Sequence, residues 1–93
     1  MIKSFRDAEA EKVFDRRFSR RLPGDIQSVA LRKLRMLANP VDLADLRSPP
    51  ANRLEKLSGD RQGQHSVRIN DQWRICLLWR DGDAYDVEIC DYH

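Results

Sequence analysis

Residues 65–93 read "HSVRINDQWRICLLWRDGDAYDVEICDYH". Apolar and polar residues alternate through three runs, "HSVRI", "WRICLLW" and "AYDVEICDY". A period of two marks a strand with one buried face. "NDQ" joins the first two runs and "DGD" the last two, and both are hairpin signals. The stretch predicts an antiparallel meander whose register decides which side chains share a face.

Burial selects that register. A two-residue loop at Asp81-Gly82 would pair Trp73 with Cys90 and set Trp79 beside Ala84, scattering apolar residues over both faces. A three-residue loop, Asp81-Gly82-Asp83, pairs Trp79 with Tyr85, Leu77 with Val87 and Ile75 with Ile89. A similar loop at Asn70-Asp71-Gln72 pairs Ile69 with Trp73 and Val67 with Ile75. One face then carries Val67, Ile69, Trp73, Ile75, Leu77, Trp79, Tyr85, Val87 and Ile89, and this face is expected to hold the helices. The other carries Ser66, Arg68, Arg74, Cys76, Leu78, Glu88, Cys90 and Tyr92.

Upstream, "MIKSF" alternates and predicts a first strand. "DAEAEKVFDRRF" places Ala10, Val13, Phe14 and Phe18 at helical spacing behind Asp7 as N-cap. "RRLPG" breaks that helix. "DIQSVALRKLRMLANP" predicts a second, capped by Asp25, striped by Ile26, Val29, Ala30, Leu34 and Leu37, and stopped at Asn39-Pro40. Residues 41–64 are irregular, with a stiff elbow at Pro49-Pro50 and turn signals at Ser58-Gly59-Asp60 and Gly63. Leu43, Leu46, Leu54 and Leu57 suit a loop that packs down. The expected architecture is α+β in the order β-α-α-β-β-β, one domain over 1–93, with two N-terminal helices on one face of a small antiparallel sheet.

At 93 residues, 41% hydrophobic and 34% charged, the composition is that of a globular domain rather than a disordered chain. Residues 1–40 hold ten Lys or Arg against five acids, whereas residues 70–93 hold two against six. The basic half suits a polyanion or a solvated helical pair, and the acidic end argues against a uniformly basic sleeve. "MIKSFRDAEAEK" has no apolar signal-peptide core, and the longest apolar run, "ICLLW", falls far short of a membrane span. Cys76 and Cys90 read as free thiols of a cytoplasmic protein, without the companions of a zinc motif. No metal or other cofactor is expected.

On the outer face, Arg68 lies opposite Arg74, and Tyr92 is diagonal to Arg74. Two facing arginines repel unless something negative lies between them. Glu88 would serve, and so would a phosphate, which a guanidinium fork grips bidentately. A 2′-hydroxyl attacks its neighbouring phosphate when a base removes its proton, an acid protonates the leaving oxygen and a cation holds the developing charge. His93 and Asp91 are candidate acid–base groups, Arg74 and Arg68 candidate charge stabilisers, and Tyr92 can stack on a base.

These residues resemble a known family. "MIKSF", "RLEKLSGDRQGQHSVRINDQWRI" and "VEICDYH" look like the HigB-type toxins, or plasmid maintenance killer proteins, of the RelE/ParE superfamily. The resemblance spans nearly the whole chain and implies a RelE-like fold. It also implies a type II toxin that cleaves messenger RNA in the ribosome without a metal. The implied partner is a helix-turn-helix, HigA-like antitoxin, the complex repressing its operon at operator DNA. By resemblance, Asp91, Tyr92 and His93 work at the C-terminus, and Arg74 contacts the phosphate. Some members carry a histidine and a lysine in a loop patterned "L-H-P-L-K-G-D". Here Glu55 stands at the histidine and Ser58 at the lysine, with Lys56 a partial substitute for the lysine and Glu55 a candidate base. Two other readings stay open: a RelE-fold module that inhibits translation or ribosome assembly by binding alone, and a ParE-type gyrase inhibitor.

Overall fold

The computed structural model describes residues 1–39, 45, 46 and 52–91. Pro40, Leu43, Pro49, Pro50, Tyr92 and His93 lie outside the described residues.

Helix α1 spans Ala8–Phe14, and Asp7 Oδ1 caps it by accepting from the Ala10 amide at 2.6 Å. It stops earlier than its apolar spacing predicts. Arg16 takes a left-handed φ of 63°, and the Arg16 and Arg17 amides donate back to the carbonyls of Val13 and Lys12. That is a Schellman ending with arginine in glycine's usual place. Phe18 therefore leaves the helical stripe and is 68% exposed. Gln27 then fastens the connection. Its amide nitrogen donates to the carbonyls of Ser19 and Leu22, and its oxygen accepts from the Ser19 amide.

Helix α2 spans Gly24–Ala38 and ends on Asn39. Asp25 does not cap it: the cap position is Pro23, which makes no side-chain bond, and Asp25 sits in the first turn, where its charge suits the helix dipole. Ile26, Ala30, Leu34 and Leu37 are buried as their spacing predicts, and Lys33 is buried with them.

The sheet holds β1 (Glu55–Lys56), β2 (Gln64–Arg68), β3 (Trp73–Arg80) and β4 (Asp83–Asp91), all antiparallel and in that order. The N-terminal segment, expected as a strand, instead makes two isolated parallel bridges along β4, Ile2 to Ala84 and Phe5 to Val87. The short β1 falls in the stretch read as irregular. Leu46 and Leu57 in that stretch are buried and Leu54 is packed against the core, as the spaced leucines suggest.

The β2–β3 register matches expectation, with Val67 opposite Ile75 and Arg68 opposite Arg74. The β3–β4 hairpin uses both registers. Beyond the turn it follows the two-residue loop, with Arg80 opposite Asp83 and Trp79 opposite Ala84. Asp81 and Gly82 both have positive φ, 53° and 82°, as a tight primed turn requires. Between Cys76 and Leu78 the register shifts, and Ile75 then faces Ile89 as expected. The extra residue on β4 lies in a bulge where Asp86 takes φ 52° and its amide donates to Ser4 Oγ at 2.8 Å. Alternation alone predicts one register throughout. The bulge removes that conflict and moves Tyr85 off the helical face to lie opposite Leu78, under the Arg80 guanidinium. Ala84 takes its place in the core.

The helices cover the face of Val67, Ile75, Leu77, Val87 and Ile89. On the opposite face Ser66, Arg74, Cys76 and Glu88 are also buried. A sheet buried on both sides, polar on one, is what places the candidate site. Among the described residues no helix is long and apolar enough to cross a membrane.

Candidate active site

Arg74 is the centre of the outer face. It projects from β3 and is 7% exposed. Its Nε donates to Ser66 Oγ at 2.7 Å and its Nη2 to the Arg53 carbonyl at 2.7 Å, while Nη1 lies 3.8 Å from Glu55 Oε1. Strand pairing explains two of these partners. Ser66 is on the neighbouring strand, and Glu55 is the β1 register partner of Ser66. The third needs an unusual backbone, since Arg53 has φ 41°. A guanidinium fixed on three sides is preorganised and loses little freedom when it meets an anion.

Arg68 lies directly across from Arg74, and Asp71 binds it from the following turn. The hydrogen bond from Arg68 holds the Asp71 carboxyl below the usual range. Glu88, one of the two groups that could lie between the arginines, is elsewhere. It binds Arg61 at 2.7 Å and Arg6 at 3.2 Å, one register step removed from Arg74. Burial alone would raise the Glu88 carboxyl, but the hydrogen bonds from Cys90 and Arg61 outweigh it and hold it low.

A third cation backs the pair. Lys33 Nζ donates to Asn52 Oδ1 at 2.8 Å, and Asn52 Nδ2 donates to the Leu46 carbonyl at 3.1 Å. Burial lowers the Lys33 pKa, and the positive charges of Arg32, Arg68 and Arg74 lower it further. Asn52 immediately precedes Arg53, so one short segment ties the buried lysine to the carbonyl that holds Arg74.

The remaining sequence-predicted residues fall in several places. Glu55 is half-exposed beside Arg74. Lys56 pairs with His65 and, by strand alternation, lies on the face opposite Glu55. Asp91 pairs with Trp73 and accepts from Gln72 Nε2 at 3.1 Å, on the face away from Arg74. Tyr92 and His93 are outside the described residues. Sequence reasoning missed Lys33, Asn52, Arg53 and Arg61. Lys33 had a signal, because it falls in the Ile26–Ala30–Leu37 stripe; the backbone of Arg53 had none.

Chemically, the described face offers a fixed guanidinium, a second one opposite, and a solvent-accessible carboxylate beside the first. That set can hold a phosphate and take a proton from a group attacking it.

Comparisons with known proteins place the chain in a family. The model of the family "HigB-like toxin: RelE-like toxin of type II toxin-antitoxin system HigB" matches residues 3–93. Toxin HigB-1 of Vibrio cholerae serotype O1 is 38% identical over 85 residues, 90% of each chain. Endoribonuclease HigB of Proteus vulgaris is 28% identical over 93 residues, the whole of both chains. In fold, the chain resembles the crystal structure of YafQ from Escherichia coli, with TM-score 0.60 at 12% identity, covering 98% of this chain and 93% of that one. It also resembles a chain of the YoeB–YefM complex from Staphylococcus aureus, with TM-score 0.55 at 20% identity, covering 100% and 98%. The chain belongs to the HigB-like family of RelE-like toxins of type II toxin–antitoxin systems.

Proposed function

We propose that this toxin is an endoribonuclease that cuts messenger RNA on the ribosome. The observation that carries the reading is the Arg74 guanidinium, anchored by Ser66 and the Arg53 carbonyl opposite Arg68 and 3.8 Å from Glu55. The full-length relative named Endoribonuclease HigB supports it. In the step, the 2′-oxygen forms a bond to the adjacent phosphorus and the bond to the 5′-oxygen breaks. Glu55 takes the 2′-hydroxyl proton, and His93 gives a proton to the leaving oxygen. Arg74, with Arg68, holds the charge on the non-bridging oxygens. The products are a 2′,3′-cyclic phosphate and a 5′-hydroxyl. Tyr92 stacks on a base beside the scissile bond. Asp91 and Lys56, on the faces away from Arg74, bind and position rather than transfer protons. The protein works in the cytoplasm, and a helix-turn-helix antitoxin neutralises it and joins it on operator DNA.

Inhibition by occupancy alone is the second reading. It is favoured by one observation: Glu55, where some relatives carry histidine, supplies no cation to the leaving group. Primer extension on an abundant transcript separates the two after induction of wild type or Arg74→Ala. New 5′ ends within translated codons, seen only with wild type, support cleavage. Growth arrest without new ends supports occupancy.

A further inference from the structure

The outer face carries a second cluster that RNA cleavage leaves unused. Cys76 Sγ, Cys90 Sγ and a Glu88 carboxylate oxygen all lie within 4.8 Å of one another. Cys76 is fully buried, Glu88 is 8% exposed and Cys90 is half-buried. The fold explains the convergence. Glu88 and Cys90 are two apart on β4 and share a face, and Cys76 on β3 is the register partner of Glu88. Thirteen residues lie between the cysteines in sequence, so no zinc spacing is visible there. The sheet supplies the missing companion as a carboxylate.

We propose that Cys76, Cys90 and Glu88 form a binding site for one zinc-class divalent ion. Two sulfurs and one carboxylate oxygen suit a borderline-soft ion such as zinc or cadmium, not magnesium or calcium, which want oxygen cages. Metal–sulfur bonds of about 2.3 Å and metal–oxygen bonds of about 2.0–2.2 Å need a modest contraction of the cluster. Side-chain rotation on two paired strands supplies it. On binding, the two thiols lose their protons and the ion takes both sulfurs and one carboxylate oxygen. The fourth position of a tetrahedron stays open to a water.

Arg61 and Arg6 do not compete for the same lone pairs. Glu88 Oε1 accepts from Arg61 at 2.7 Å and from the Cys90 thiol at 2.8 Å, and loss of the thiol proton on binding frees the second of its two acceptor positions for the ion. Arg61 is itself held by Gln64 Oε1 at 3.0 Å, and Arg6 holds Glu88 Oε2. Such outer hydrogen bonds orient a ligating carboxylate. They also offset the negative charge of two thiolates and a carboxylate around one dication. The ion is a cross-strand link with one position open to solvent. It ties β3 to β4 one register step from Arg74, whose partner on β4 is Cys90.

The test uses the full chain, reduced and stripped with a chelator, then titrated with cobalt(II) and separately with cadmium. The expected result is a thiolate-to-metal charge-transfer band that saturates at one ion per chain and is displaced by zinc. Removing an outer hydrogen-bond partner of a metal ligand typically costs about 10–100-fold in affinity. Losing a ligand must cost at least as much, so Cys90→Ser and Glu88→Gln are each expected to weaken the ion by about tenfold or more. Circular dichroism establishes that each variant is folded. Absence of the thiolate band in folded wild type overturns the site. So does a band of undiminished affinity in either folded variant.

Discussion

The carbonyl oxygen of Arg53 lies 2.7 Å from Arg74 Nη2, and it gets there because Arg53 takes a left-handed φ of 41°. With Ser66 on the other side, it fixes the aim of the one guanidinium at the centre of the outer face. Backbone strain of this kind, about 1–3 kcal/mol for a residue in a sparsely populated region, persists where surrounding contacts determine it.

Ser66→Ala tests that anchoring. Ser66 is fully buried, and its hydroxyl accepts from a charged donor. Its removal is expected to cost about 1–3 kcal/mol of stability and to slow cleavage more than the melting temperature alone would explain. Denaturant unfolding paired with a cleavage assay reads both. Full activity in Ser66→Ala would mean that Arg74 needs no alignment from its neighbour.

The bulge at Asp86 makes a prediction that the unbulged register does not. Leu77 is fully buried, so Leu77→Ala is expected to cost about 2–5 kcal/mol. Tyr85, moved out of the core, is partly buried opposite Leu78 with the Arg80 guanidinium over its ring, and Tyr85→Ala is expected to cost about 1 kcal/mol. Equal, large losses at both positions would place Tyr85 in the core and remove the bulge.

The hairpin shows what the sequence makes visible. Alternation identifies β2, β3 and β4, the two faces except at Tyr85 and Ala84, and the Arg68–Arg74 pairing. It does so because side-chain period is a local property and burial penalises any slip. The bulge escaped because it reconciles two registers that alternation treats as exclusive, and its support is Ser4, far away in sequence. Phe18 looked helical because apolar spacing carries no sign of a left-handed arginine at position 16. The site divides in the same way. Arg74 and Arg68 are legible from residue type and strand position, whereas Glu55 is legible only through the family resemblance, because its two-residue strand lies in a stretch with no alternation. Arg53 contributes a carbonyl, which every residue possesses, so nothing in its side chain announces the role. Strand pairing leaves Glu88 open as a bridge between the arginines because Arg6 and Arg61, which hold it, come from segments whose packing no pairing rule supplies.

Lys33 gives a pH prediction. Burial first, then the charges of Arg32, Arg68 and Arg74, hold its folded pKa below the ordinary 10.5. Between the folded and ordinary values the unfolded chain binds more protons. The lysine's contribution therefore makes stability rise with pH in that alkaline window, and the gain is complete above the ordinary value. Lys33→Met removes this term. Unfolding free energies measured across the alkaline range are expected to show wild type gaining on Lys33→Met as pH approaches 10.5. Parallel curves would mean that Lys33 is not held in a disfavoured charged state.

The central claim is that Arg74 stabilises charge on a scissile phosphate, and single-turnover cleavage of ribosome-bound messenger RNA tests it most directly. Arg74→Ala, verified as folded by its melting curve, is expected to slow the chemical step by about 10²–10³-fold. Arg74→Lys keeps the charge but not the fork, and is expected to fall between the two. A folded Arg74→Ala protein that cleaves at the wild-type rate would contradict the account.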